Sequence, residues 1–303
     1  MQSIDFSKPL IRIRDRPDFH ADIVIGADGL KSVCREEMLG RKDPPHLTGD
    51  LAYRITVKAS DMRKHPDLRD LVDNPEMHLW MGPSSHAVCY LLKGGDLYNS
   101  VLVCPDNLPE LVNTAKADLQ EMRDFFVNWA PQMRKLLDMV QETSKWRLQN
   151  SHEMHTWSHD GGKFTLLGDA CHATLPYLAQ GAAMAVEDGA VLGHLFSRAT
   201  HPSQLKDLLL IYEKIRKART TKVVQTSSLM RDVYHCRDGD VQQERDRQLR
   251  DEQPFEDFPN PWADPNLQRF LFGYGAYEEA EQAWKKYLEG RFMGTTGGFR
   301  ANL

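Results

Sequence analysis

Apolar positions along the chain change their period in a way that marks its elements. Residues 10–14 (Leu-Ile-Arg-Ile-Arg) alternate apolar and charged, as an edge strand does. Residues 23–27 and 164–167 are short, largely apolar runs, the pattern of buried strands. Each is closed by a turn pair, Asp28-Gly29 in the first and Gly168-Asp169 in the second. Ser32 is placed to N-cap a helix that runs to Leu39. Residues 51–57, 77–83, 86–92 and 97–103 read as strands, and Lys93-Gly94-Gly95-Asp96 between the last two is a hairpin signal. From Leu111 to Val140 the spacing turns helical. Phe125, Phe126, Trp129, Met133, Leu136, Leu137 and Val140 recur at i+3 or i+4, with Pro131 marking a fresh start. After Asp169, Pro176 blocks an early helix, and the next begins at Gly181 with the small residues Ala182, Ala183 and Ala185. A long helix spans 205–230, its apolar stripe marked by Leu208, Leu209, Tyr212, Ile215 and Val223. Lys214, Arg216, Lys217 and Arg219 lie on its other faces, where a charge run is expected to be solvated.

Composition adds limits. A chain of 303 residues with 41% hydrophobic content has room for about two domains with a sizeable core. Its net charge of −5 is spread out, and no basic block interleaves with aromatics, which argues against a nucleic-acid partner. No apolar run approaches the roughly 18 residues of a membrane span, and the N-terminus has no signal-peptide core. Cys34, Cys89, Cys104, Cys171 and Cys236 are odd in number and widely spaced, which favours reduced thiols and an intracellular, cytoplasmic location. His152, His155 and His159 with Glu153 have metal-like spacing. They are not H-E-x-x-H, and Trp157 with Gly161-Gly162 opposes a long helix, so turn histidines and no metal are expected.

The chemistry concentrates in 164–192. A strand end carries one acceptor carboxylate, Asp169; a loop follows, and then a helix whose free N–H groups begin at Gly181. A carboxylate suits a polyol hydroxyl, and a helix N-terminus suits developing negative charge. Gly168-Asp169-Ala-Cys-His172, Leu175-Pro176-Tyr-Leu-Ala-Gln180-Gly181-Ala182 and Glu187-Asp188 together resemble the second flavin motif of the FAD-dependent aromatic hydroxylases, the flavoprotein monooxygenases that include salicylate hydroxylase. The resemblance implies that Asp169 accepts from the ribityl chain of FAD. Pro176 and the backbone of Gln180, Gly181 and Ala182 would face the flavin ring and stabilise its reduced anion. Asp28-Gly29 with Arg35 resembles the family's upstream Asp-Gly motif, which implies that Asp28 and Arg35 organise the pyrophosphate side and the approach of NAD(P)H.

The family also implies a βαβ unit carrying G-x-G-x-x-G. That pattern does not occur in the sequence, and Gly294-Thr-Thr-Gly297-Gly298 has the wrong spacing. The expectation is therefore a chain that begins inside the cofactor domain, leaving an exposed apolar edge beside residues 23–27. The implied fold is α/β (α+β), of the para-hydroxybenzoate hydroxylase type. Residues 1–48 form a remnant of the FAD-binding domain and 49–150 an inserted β-sheet substrate domain. Residues 151–210 return to the FAD-binding domain, and 211–303 form a C-terminal helical region similar to fungal members. Residues 145–148 resemble the strand that returns to the cofactor domain.

In the substrate domain, Tyr53-Arg54 matches a recurring pair. A guanidinium there can orient a phenolate or carboxylate, or else simply pair with a surface carboxylate. Trp80, His86 and Tyr90 fall where the sheet's inner face is expected and line the substrate or merely fill the sheet. The implied activity is NAD(P)H- and O₂-dependent hydroxylation of an aromatic, phenolic or secondary-metabolite substrate through a flavin C4a-hydroperoxide. Two other classes stay open: a non-catalytic remnant that binds a small molecule or partner, and a cofactor-free isomerase or cyclase. Oligomeric state is not legible.

Overall fold

The computed structural model describes residues 2–250 and 253–292, so the Gly294–Gly298 stretch lies outside the described residues. In chain order the first strands are β1 (Ser3–Asp5), β2 (Leu10–Arg12), β3 (Phe19–His20), β4 (Val24–Gly26) and β5 (His46–Lys58). β6 (His78–Gly82), β7 (Ser85–Leu92), β8 (Leu97–Pro105), β9 (Thr114–Lys116), β10 (Ser144–Asn150) and β11 (Phe164–Leu166) follow. The helices are α1 (Val33–Leu39), α2 (Ala59–Met62), α3 (Pro66–Asp73), α4 (Leu119–Phe125), α5 (Pro131–Asp138) and α6 (Asp169–His172). The later ones are α7 (Gly181–Arg198), α8 (Leu205–Tyr234), α9 (Asp240–Leu249), α10 (Pro265–Phe272) and α11 (Ala276–Leu288). They divide between two compact units.

One unit comprises Met1–His46, Asn150–Ser228 and Pro261–Leu303. In it β4 and β11 pair in parallel, Val24 opposite Phe164 and Gly26 opposite Leu166, while β1, β2 and β3 form a separate antiparallel sheet. Its core sets Val24, Phe164 and Leu166 against Val191, Leu192 and Leu195 of α7, Leu208, Leu209 and Tyr212 of α8, and Trp284 of α11. The expectation of an edge strand at residues 10–14 is corrected, because β2 lies between β1 and β3. The fully buried reading of residues 23–27 is corrected too. Val24 and Gly26 point inward, but Ile25 is 39% exposed, and β4 pairs with β11 alone among the described residues.

The other unit comprises Leu47–Gln149 and Leu229–Asn260. Its six-stranded sheet runs in the order β6-β7-β8-β5-β10-β9. The hairpin signal at 93–96 is a short 3₁₀ turn joining β7 to β8. Alternate residues of the central strands (Leu51, Tyr53, Ile55, Val57, Ala87, Cys89, Tyr98, Leu102) face helices α2 to α5 and meet Met62, Leu68, Met122, Met133, Leu136 and Leu137. Pro131 does open α5, where its missing N–H costs nothing. The helical reading of 111–140 overlooks β9, whose three residues are too short to leave a period-2 signature. Residues 145–148 belong to β10 of this sheet, hydrogen-bonded to β9, and the chain leaves this unit just after it.

Candidate functional site

Because β4 and β11 are parallel neighbours, both chains leave the sheet at the same end. Leu167 N–H extends the ladder to the Gly26 carbonyl (2.9 Å), and the two Asp-containing turns then emerge side by side. Ligands of open α/β sheets gather at this carboxyl end of the strands. Here the turns wall one open cleft of about 540 Å³, shared by Ala27 and Gly29 from the first, Gly168 and Asp169 from the second, and Pro176, Gly181, Ala182 and Ala185.

Two local features shape the wall. Gly168 has φ 63° and ψ −141°, and a Cβ there would come within 3.0 Å of Ala185 Cβ, so only glycine permits this close strand-to-helix approach. Pro176–Leu178 forms a 3₁₀ turn, Ala179 turns left-handed at φ 50°, and α7 then starts at Gly181 with no side chain capping it. Met184 N–H makes the first intrahelical bond, to the Gln180 carbonyl (2.8 Å), so the N–H groups of residues 181–183 have no partner within the helix. Gln180 itself is buried. Asp169 is exposed on the cleft, its Oδ1 4.0 Å from the point where a Gly181 Cβ would stand. An acceptor carboxylate, free helix N–H groups and a wall of Gly and Ala fit the ribityl chain and the ring of a flavin.

The pyrophosphate-side expectations do not match the side chains. Asp28 is turned back onto α1, where its carboxylate accepts from Ser32 Oγ (2.5 Å), Val33 N–H (2.8 Å) and Cys34 N–H (3.0 Å). Burial raises the Asp28 pKa, but these hydrogen bonds prevail and hold it below the usual carboxylate value. Ser32 caps the same helix, accepting from Arg35 N–H at 2.9 Å. Arg35 is 1% exposed and spends its guanidinium on Asp43 (Nε to Oδ2, 2.9 Å) and on the carbonyls of Ala170, Leu30 and Asp43. Arg35 is thus a buried clamp joining α1 to α6, its guanidinium turned inward.

Behind the cleft lies a charged network. Asp188 of α7 is fully buried and accepts from Gly168 N–H (2.9 Å), His172 Nε2 (2.6 Å) and Arg216 Nε (2.7 Å). Burial raises the Asp188 pKa, yet the His172 hydrogen bond and the Arg216 charge outweigh it and keep the carboxyl below its ordinary value. Arg219 forks onto Glu187 (2.7 and 2.8 Å) and stacks over the Tyr274 ring. The solvated reading of Arg216 and Arg219 is corrected, since they are 0% and 4% exposed. The adjacent pair Glu187-Asp188, with two arginines at i and i+3 on a later helix, was the signal available.

The sheet-borne candidates separate by face. Register puts Arg54 opposite Val101, Tyr90 opposite Asn99 and His86 opposite Val103, so these three share the face turned away from the helices. Trp80 pairs with Ala87 and packs into the helix-side core, which corrects its place among inner-face residues. His86 is 1% exposed, and its Nδ1 meets His235 Nε2 at 2.8 Å within the same unit. Arg54 is exposed, with its Nε donating to Asn99 Oδ1 at 3.1 Å, and Tyr90 is half-buried. Of the histidines with metal-like spacing, His159 stacks on Phe6 and His152 faces His46. Among the described residues no group of three or more His, Cys, Asp or Glu is placed to hold a metal ion, and no helix is long and apolar enough to cross a membrane.

Comparison with known proteins places this geometry. The sequence model of the FAD binding domain matches residues 11–227. An FAD-dependent monooxygenase, OpS4 of Beauveria bassiana (strain ARSEF 2860), is 41% identical over 272 residues, covering 88% of this chain and 63% of that protein. A 3-hydroxybenzoate 6-hydroxylase of Polaromonas naphthalenivorans (strain CJ2) is 34% identical over 216 residues, covering 70% of this chain and 50% of the relative. A salicylate hydroxylase solved as a substrate complex superposes with a TM-score of 0.74 at 26% identity, over 88% of this chain and 65% of the other. The chain thus spans less than two thirds of the length of each of these relatives. With more than half of its residues matched, the chain belongs to the FAD binding domain family.

Proposed function

We propose that this chain works as an FAD-dependent monooxygenase that uses NAD(P)H and O₂ to hydroxylate an aromatic, phenolic or secondary-metabolite substrate. The observation that carries the reading is the convergence of two parallel strand ends on one cleft, with the Asp169 carboxylate beside the uncapped N-terminus of α7. Bound there, FAD supplies hydride acceptance from NAD(P)H and delivery of one oxygen atom from O₂ to an electron-rich ring carbon.

The protein's residues act around that chemistry. Asp169 accepts from the ribityl hydroxyls. The N–H groups of Gly181 and Ala182 face the pyrimidine edge, where the helix dipole favours negative charge. Pro176, Gly181 and Ala182 leave the wall flat enough for a ring to lie against it. Arg54 presents a cation for a substrate phenolate or carboxylate, and Tyr90 on the same face contributes an aromatic wall. Five unpaired cysteines support a reducing, cytoplasmic setting.

The test is turnover. The purified, FAD-supplemented chain is assayed for NADPH and NADH oxidation with a panel of hydroxybenzoates, and hydroxylated product is quantified. Substrate-stimulated oxidation coupled to product supports the reading. A chain that binds FAD but yields neither reduced flavin nor product with either nucleotide contradicts it.

A further inference from the structure

Asn99 is the third residue of β8, 0% exposed, on the face that carries Arg54 and Tyr90. Its neighbours along that face of the strand are Val101 and Val103, the residue type a sheet interior favours. Its amide is half satisfied: Oδ1 accepts from Arg54 Nε at 3.1 Å, while buried Nδ2 has no hydrogen-bond partner among the described residues. A buried donor without an acceptor is a standing cost, and an apolar residue of the same size would avoid it. The acceptor is what an apolar residue cannot replace. Arg54 lies near the middle of β5, and no described residue is bonded to its Nη1 or Nη2.

We propose that Asn99 is a positioning residue of the substrate site, holding Arg54 by Nε so that the Nη1/Nη2 edge is presented to the carboxylate of an aromatic acid. The inference rests on the reading of Arg54 as the substrate-orienting cation. Fixing Nε removes one of the two forks by which a guanidinium grips paired oxygens and leaves the end-on fork, which matches a carboxylate. Without Asn99 the long side chain regains its rotamers, and binding bears the cost of ordering it.

The test uses the FAD-supplemented chain, with salicylate as the probe, followed by its own fluorescence. Asn99→Leu removes the acceptor, Asn99→Asp keeps it, and Arg54→Ala removes the cation. We expect Asn99→Leu to weaken salicylate about tenfold without lowering the melting temperature, and to expose the Arg54 Nε–H to fast exchange in ¹⁵N-arginine spectra. Asn99→Asp restores both, and turnover shows the loss in KM rather than in kcat. Wild-type affinity in Asn99→Leu, with affinity lost in Arg54→Ala, overturns the positioning role alone. Unchanged affinity in Arg54→Ala overturns the reading beneath it. A wild-type chain that takes no salicylate overturns the carboxylate assignment.

Discussion

Gly168 shows how one residue without a side chain fixes the site. Its left-handed φ and the 3.0 Å approach to Ala185 place the strand end hard against α7, and its N–H is spent on Asp188. Gly168→Ala is expected to cost about 1–3 kcal/mol through backbone strain and crowding, read as a lowered urea midpoint at unchanged m-value. The His86–His235 pair gives a pH dependence. Burial, and for His86 the neighbouring His235, holds their pKa values down to about 3 and about 4 against an ordinary 6.5. Between those values the unfolded chain binds protons that the folded pair refuses. Stability is therefore full above pH 6.5 and falls as pH drops toward 4, by an amount on the order of a few kcal/mol. Urea unfolding at pH 7 and pH 4.5 checks this, and the dependence should shrink in His86→Phe. Nothing in the sequence betrayed that pairing, because its members are 149 residues apart and meet only through the fold.

At the scale of elements, α7 is the pivot of the cofactor unit. Its N-terminus is left open toward the cleft while its middle is bolted to the turn before α6 and to α8 through Asp188, His172 and Arg216. Arg216→Met should cost about 3–5 kcal/mol, because it strands the Asp188 carboxylate in the core, and less in the double variant with Asp188→Leu. Strands and helices with a strong period were legible in advance: β5, β7, β8, α7 and α8 all lie where the apolar pattern puts them. Of the elements of two to four residues, β2, β4 and β11 were legible from alternation or an apolar run, whereas β9 and α6 carry neither signal and were not. Charge misled at Arg216 and Arg219. A guanidinium in a sequence reads as solvated, and only the fold shows the carboxylates and carbonyls that make its burial tolerable.

At the scale of the molecule, the chain is two units, each with its own core, and the cleft proposed to hold the flavin lies in the one that draws on three separate stretches of sequence. Asp169, Pro176, Gly181 and Ala182, which line the cleft, were named from the sequence because a strand-end carboxylate and a helix-opening glycine have local signatures. The holding roles of Asp188, His172 and Arg216 depend on long-range contacts and were not, although His172 and Asp188 stand in the quoted motif. The most direct test of the account is a titration of FAD into the purified chain, followed by quenching of flavin fluorescence, with Asp169→Ala alongside. Saturable binding at one FAD per chain that weakens at least about tenfold in Asp169→Ala, at unchanged melting temperature, is the predicted result. A wild-type chain that leaves flavin fluorescence untouched, or an Asp169→Ala variant that binds FAD as tightly as the wild type, would contradict it.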